Sequence, residues 1–285
     1  LEPQKDLLVD KTRDRGHAAA SIEQYDPLVG DYPDNTAGER YAALRLEELH
    51  ARYASASGSG TMSAMATGTR FSLLEHPRKD QNREYIVLST RFELRHPGYE
   101  SGVGDVASYL CHFTALDSRE VFRPQRLTPR PTVPGPLTAM VVGPAGDEIF
   151  TDVHGRIKVQ FHWDRLGRRD EQSSCWIRVA QPVAGRGFGG ILLPRIGHEV
   201  VVEFLGGDPD RPLVTGSVYN AEKITPYALP DHATVSSLKS RSSKGAAVAN
   251  FNELRFEDRK GAEYVFMQAE KDHLHLVKAD RITSI

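Results

Sequence analysis

Four groups of residues in this chain have the types and spacing to suggest chemistry, and each has a plainer backbone explanation. Gly185, Gly187 and Gly190 in AGRGFGG satisfy the GxGxxG spacing with which a turn cradles a pyrophosphate at a helix N-terminus. That role needs a helix next; ILLPRIG follows instead and reads as a strand containing Pro194, so the glycines mark a β-turn or bulge. His198-Glu199 opens like a zinc-protease motif but continues Val200, Val201, Val202, without the second histidine. His273 and His275 put two rings on one side of a strand, and three chains could bring six imidazoles to an axis, enough for an octahedral metal. Leu274 and Leu276 are better suited to face inward, which leaves both histidines in solvent. Asp152, Asp208 and Asp210 could offer oxygens to calcium, yet DPDRP is turn chemistry and no EF-hand spacing occurs. No GxSxG or cysteine-centred nucleophile motif is present. The tract SASGSGTMSAMATGT lacks the spacing of a phosphate-binding loop and reads as a loop or lightly packed strand. The expectation is no catalytic, cofactor-binding or metal-binding residue and no cofactor.

The elements around these residues are mostly β. Between Ile149 and Tyr219, Ile157, Val159, Phe161 and Trp163 alternate with Lys158, Gln160 and His162. This period of two gives a strand one apolar and one polar face. Cys175, Ile177 and Val179 continue it, as do Val200, Val202 and Phe204, then Val214, Gly216 and Val218. Turn formers fill the intervals, so the stretch predicts a compact five-stranded barrel with Phe161, Trp163 and Trp176 in its core.

The flanks differ. Residues 1 to about 35 are polar, broken by proline and glycine, and read as irregular. Ala42, Leu46, Leu49 and Tyr53 lie at helical spacing within Gly38 to Ala56, with Thr36 as expected N-cap and Glu39 as its reciprocal partner. Thr69–Leu74, Glu84–Leu94 and Tyr109–Leu116 read as strands, with Tyr85, Val87 and Ser89 sharing one face. PQRLTPRPTVPGP is extended and semi-rigid, a domain boundary. After the barrel, residues 221 to about 250 read as a polar linker. Beyond it, Leu254 and Phe256, Val265 and Met267, Leu274 and Leu276, and Ile282 form short alternating β-segments separated by charged residues. Seven apolar side chains bury too little to order such a segment against its own chain. The expectation is an obligate oligomer whose interface they form.

Composition narrows the class. A net charge of −2 supplies no field to draw a polyanion, which argues against nucleic acid. Two cysteines, Cys111 and Cys175, make no disulfide framework, which favours synthesis in a reducing compartment. The start LEPQKDLLVD has no signal-peptide design, and Leu1 in place of methionine suggests a fragment.

The runs DVHGRIKVQFHWD, SCWIRVAQ and LPRIGHEVVVEFLGGDPDRPLVTGSVYN resemble the OB (oligonucleotide/oligosaccharide-binding) module of the VgrG family, the spike proteins of type VI secretion systems. NELRFEDRKGAEYVFMQAEKD is similar to the start of that family's β-prism. GERYAALRLEELHARY and FSLLEHPRKDQNREYIV resemble the later half of its phage-tail-hub-like domain. The likeness covers nearly the whole chain.

The resemblance implies a mainly β fold with an α+β N-terminal part. It divides the chain into a partial hub-like domain over 1–131, a five-stranded OB barrel over 132–220, and a linker with the start of a trimeric triangular β-prism or β-helix over 221–285. It further implies a homotrimer seated on a tube of Hcp rings, tipped by a PAAR protein and carrying effector or adaptor proteins. Such a spike assembles in the cytoplasm and is fired through target membranes without a signal peptide. The barrel is then a structural collar and the chain is not an enzyme. The trimer interface is expected at Leu254, Phe256, Val265, Met267, Leu274, Leu276 and Ile282. The first half of the hub domain and the rest of the prism are expected outside this chain. Two other classes compete: a spike-borne enzyme such as a muramidase, or an effector domain beyond residue 285, tested by peptidoglycan turnover; and an OB-type nucleic-acid binder, tested by salt-dependent binding to single strands.

Overall fold

The computed structural model describes residues 11–12, 22–25, 34–53, 55–96 and 107–283. Most of the irregular N-terminal stretch lies outside the described residues. The chain divides into two compact units, Leu1–Pro129 and Arg130–Ile285.

The first unit holds helix α1 (Asn35–Tyr53) and strands β1 (Ser55–Gly60), β2 (Arg70–Ser72), β3 (Glu84–Arg95) and β4 (Ser108–Asp117). The strands form one antiparallel sheet in the order β1-β4-β3-β2. The helix is capped by Asp34 rather than Thr36: Ala37 N–H donates to Asp34 Oδ1 at 2.8 Å. A carboxylate here satisfies an orphan donor and favours the positive end of the helix dipole. The expected stripe is not the buried one; Gly38 and Ala51 are buried, while Leu49 and Tyr53 are exposed. The start of the small-residue tract becomes strand β1 and the rest is loop, and at Gly58 a Cβ would meet the Phe113 ring at 2.6 Å. Tyr85 and Val87 face the core as expected, but a bulge between Val87 and Ser89 turns Ser89 outward. Asp117, buried at the end of β4, takes Arg119 Nη2 at 2.8 Å and Arg83 Nη1 at 2.9 Å.

The second unit begins with β5 (Leu137–Val142), β6 (Lys158–Phe161), β7 (Arg178–Val179), β8 (Ala184–Gly185), β9 (Phe188–Gly189), β10 (Glu199–Phe204) and β11 (Pro212–Val218). Five of these make a sheet ordered β6-β5-β10-β11-β7, antiparallel except for the β11–β7 pair. The sheet closes on itself where Ile157 and Ile177 exchange backbone hydrogen bonds of 2.9 and 2.8 Å. Ala139, Val141, Ile157, Val159, Ile177, Val200, Val202 and Val214 fill the interior. Strand β5, absent from the sequence reading, lies between β6 and β10. LTAMVV supplies Ala139 and Val141 to the core, but its apolar run, broken only by Thr138, carries no alternation to read.

Several outward residues correct the expected core. Trp163 is 69% exposed and stacks on Phe161, which stacks in turn on Phe204. Trp176 points away from the interior that Ile177 fills, packs on Phe150 with ring centroids 4.9 Å apart, and receives Lys158 Nζ 5.2 Å from its ring. Cys175 is exposed, as are Gly216 and Val218 beyond a bulge opposite Val201 and Val202. The segment from Gly190 to Ile196 around Pro194 is not a strand.

Strands β12 (Val235–Lys239), β13 (Glu253–Glu257) and β14 (Tyr264–Gln268) form a separate antiparallel sheet in that order. Strand β12 falls inside the stretch read as a linker; no proline interrupts the chain after Pro230, so its donors are free to pair.

Candidate interaction face of the terminal sheet

Register decides which side chains share a face in this sheet. Leu238, Leu254 and Met267 lie opposite one another across β12, β13 and β14, and Ser236, Phe256 and Val265 form the next row. Side chains two apart along a strand point the same way, so both rows stand on one face. Four of the seven residues expected at an interface, Leu254, Phe256, Val265 and Met267, are thereby brought together. Leu238 joins them from the segment read as linker. In the single chain Phe256, Met267 and Val265 are 42%, 63% and 67% exposed. The two rows make a contiguous apolar patch open to water.

Leu274, Leu276 and Ile282 do not continue the sheet. No strand follows Gln268 among the described residues, and the three side chains are 92%, 84% and 92% exposed. A β-segment requires a neighbouring backbone to pair with, and this chain supplies none there. His273 and His275 are likewise exposed.

The opposite face inverts the usual pattern: its charged residues are buried. Glu253 is 4% exposed and Glu257 is also buried. The preceding loop covers them. Tyr227 donates its hydroxyl hydrogen to Glu253 Oε1 and accepts from Arg255 Nη1 at 2.7 Å. The Arg255 guanidinium sits 4.5 Å from the Phe266 ring centroid, 5.3 Å from that of Tyr227 and 5.4 Å from that of Tyr264. Lys239 Nζ lies 3.8 Å from the Phe251 centroid and 5.2 Å from that of Tyr227. Aromatic faces attract such cations most when water is excluded. Burial, followed by the adjoining Glu253 carboxylate, pushes the Tyr227 hydroxyl above the ordinary phenol range. Thr234, foremost, and the Arg259 backbone N–H hold Glu257 below the usual carboxylate range. The two carboxylates of this face are thus covered within the chain, while the row of large apolar side chains stands on the other.

The residues considered for chemistry scatter. Gly185, Gly187 and Gly190 belong to the β8–β9 hairpin and the residue after it. No helix follows, and a Cβ at Gly189, where φ is +138°, would lie 2.3 Å from the Val183 carbonyl oxygen. Glu199 opens β10, while His198 Nδ1 accepts from the Arg195 backbone N–H at 3.3 Å. Asp152 organises its own turn: Oδ1 accepts from the His154 and Arg156 N–H groups and Oδ2 from Arg156 Nε at 2.6 Å. Burial opposes its ionisation, but the Arg156 contacts outweigh it and hold the carboxyl at about 2. Asp208 Oδ1 accepts from Asp210 N–H within the DPDRP turn. Among the described residues no three His, Cys, Asp or Glu side chains converge as metal ligands, and no helix is long and apolar enough to cross a membrane.

Three stretches of the chain match known families. Residues 148–219 match the type VI secretion system/phage-baseplate injector OB domain. Residues 236–285 match the bacteriophage T4 gp5 C-terminal trimerisation domain, and residues 1–98 the phage tail baseplate hub. The type VI secretion system spike protein VgrG1b of Pseudomonas aeruginosa is 49% identical over 280 residues, covering 95% of this chain and 38% of that protein. VgrG1a of the same organism is 47% identical over 272 residues, covering 95% of this chain and 42% of its own. The chain therefore spans about two fifths of the length of these relatives. A solved E. coli protein, c3393, is described as a type VI secretion system component similar to the T4 tail proteins gp27 and gp5. It aligns at a TM-score of 0.44 with 24% identity, over 64% of this chain and 44% of its own.

Proposed function

This chain belongs to the VgrG family of type VI secretion system spike proteins, and from that membership we propose that it forms part of a homotrimeric, non-enzymatic puncturing spike. Three copies bring the apolar faces of their terminal sheets together around one axis, with Leu254, Phe256, Val265 and Met267 inward. Leu274, Leu276 and Ile282 gain their strand partners from the other copies. The boundaries follow the hub over 1–131, the barrel over 132–220 and the prism over 221–285.

One observation carries this reading: the segment matched to a trimerisation domain is the one whose charged face is buried and whose apolar face is open. The mechanism is mechanical. Backbone hydrogen bonds between copies make a narrow shaft stiff, the barrel serves as its collar, and work comes from the contraction that drives the tube. An Hcp tube at the hub end, a PAAR protein at the tip and carried effector or adaptor proteins are the partners this role requires. The protein assembles in the cytoplasm and is then delivered through target membranes; neither nucleic acid nor a cofactor takes part. Sedimentation equilibrium tests the reading. A trimer is expected, and a stable monomer at micromolar concentration would overturn it.

A further inference from the structure

The segment between β12 and β13 is a loop of the terminal sheet that reaches back to the barrel, and its sequence, SRSSKGAAVAN, has the composition of a flexible tether. Its contacts are those of a fixed bracket. On the barrel side, Glu148 accepts from the Gly245 backbone N–H and, at 3.1 Å, from Ser243 Oγ. Arg195 Nη1 stands 3.7 Å from the same carboxylate, while Arg195 Nη2 donates to the Arg241 carbonyl at 2.7 Å. Lys244 Nζ reaches Asp147 at 3.0 Å. On the sheet side, Glu270 accepts from Asn250 Nδ2 at 2.6 Å and from the Phe251 N–H at 3.0 Å, and its own N–H donates to Asn252 Oδ1 at 2.8 Å. Between the two carboxylates, Ser240 N–H donates to Asn252 O at 2.9 Å and Ser242 N–H to Asn250 O at 3.0 Å, extending the β12–β13 ladder beyond its last strand pair.

We propose that residues 240–252 act as a clamp, held at one end by Glu148 and at the other by Glu270, which makes barrel and terminal sheet a single mechanical piece. A tether would let the sheet swing under load; a clamped joint passes an axial push through backbone hydrogen bonds loaded in parallel. Hydrogen bonds to charged groups are the stronger class, and Glu148 is held below the usual carboxylate range foremost by the Gly245 N–H, as a stable contact requires. The clamp rests on contacts within one unit and stands whatever the number of copies in the assembly.

Trypsin reports on the joint, because Arg241 and Lys244 both lie in it. On the full chain, cleavage after these two residues is expected to be much slower than in a free peptide of residues 238–254, although both side chains are exposed. Cleavage at the joint follows the opened population, so Glu148→Ala, which removes the acceptor of the Gly245 and Ser243 hydrogen bonds, should speed it about tenfold. Glu270→Ala should speed the same bonds from the other end, leaving the barrel's contacts in place. The free peptide serves as the reference for unhindered cleavage. Wild-type cleavage at the joint as fast as in the peptide, or both variants at the wild-type rate, would overturn the clamp. Sedimentation of the same samples reads the oligomeric state separately.

Discussion

The barrel and the terminal sheet are built from the same alternation and meet opposite fates. In the barrel, Ile157 and Val159, Val200 and Val202 send alternate side chains into an interior closed to water. In the terminal sheet, Leu254 and Phe256, Val265 and Met267 alternate equally well, yet they stand in solvent. Closure makes the difference. The barrel's outer strands meet through Ile157 and Ile177, so five strands cover their own apolar face. Three strands cannot curl that far, and the loop bearing Tyr227 covers the charged face instead. Alternation thus says that a face needs cover, and topology says whether the same chain can provide it.

The comparison can be broken most sharply at Phe256. Phe256→Asp puts three carboxylates into the proposed shared core, a cost multiplied over three copies. The expected result is loss of the trimer by sedimentation equilibrium with barrel near-ultraviolet dichroism unchanged; a trimer of wild-type stability would show that the face is not the interface. Ile177→Ala should do the converse. Removing a buried, ring-closing side chain costs roughly 2–5 kcal/mol, read as a lower urea midpoint of the barrel transition. Tyr227→Phe should loosen the terminal sheet by about 1–3 kcal/mol, because buried Glu253 and half-buried Arg255 each lose a partner. Faster hydrogen exchange confined to β12–β14 would report it.

The smallest effect is read in the barrel by acid. Asp152 has a folded value of about 2 against an ordinary 3.8. A depressed carboxylate adds stability that is present above the ordinary value and is lost as pH falls through the folded one. The barrel's melting temperature should therefore drop between pH of about 4 and 2, and Asp152→Asn should flatten that part of the curve.

Much of this was legible because local chemistry and global fold agree. The period of two marked Ile157, Val159, Ile177, Val200, Val202 and Val214, and all of them are core. Asp and Pro in DPDRP read as a turn and serve as one. Legibility failed where the signal was weak or non-local. Strand β5 is apolar without alternation. Trp163 continues the alternation past the point where the strand ends, so it lies outside the barrel. Leu238 sits alone among Ser236, Ser237 and Lys239, too sparse a pattern to mark β12. The buried Glu253 and Glu257 and the half-buried Arg255 look like ordinary surface charge in sequence.

The sequence by itself determined which side chains alternate, where prolines and glycines interrupt them, and that the last segment holds too little apolar surface to bury against itself. Tertiary structure alone decided which of two alternating faces was sealed. That choice depends on Tyr227 crossing 26 positions to meet Glu253, and on whether a sheet has enough strands to close. Both are properties of chain path, and a periodic pattern carries no information about path.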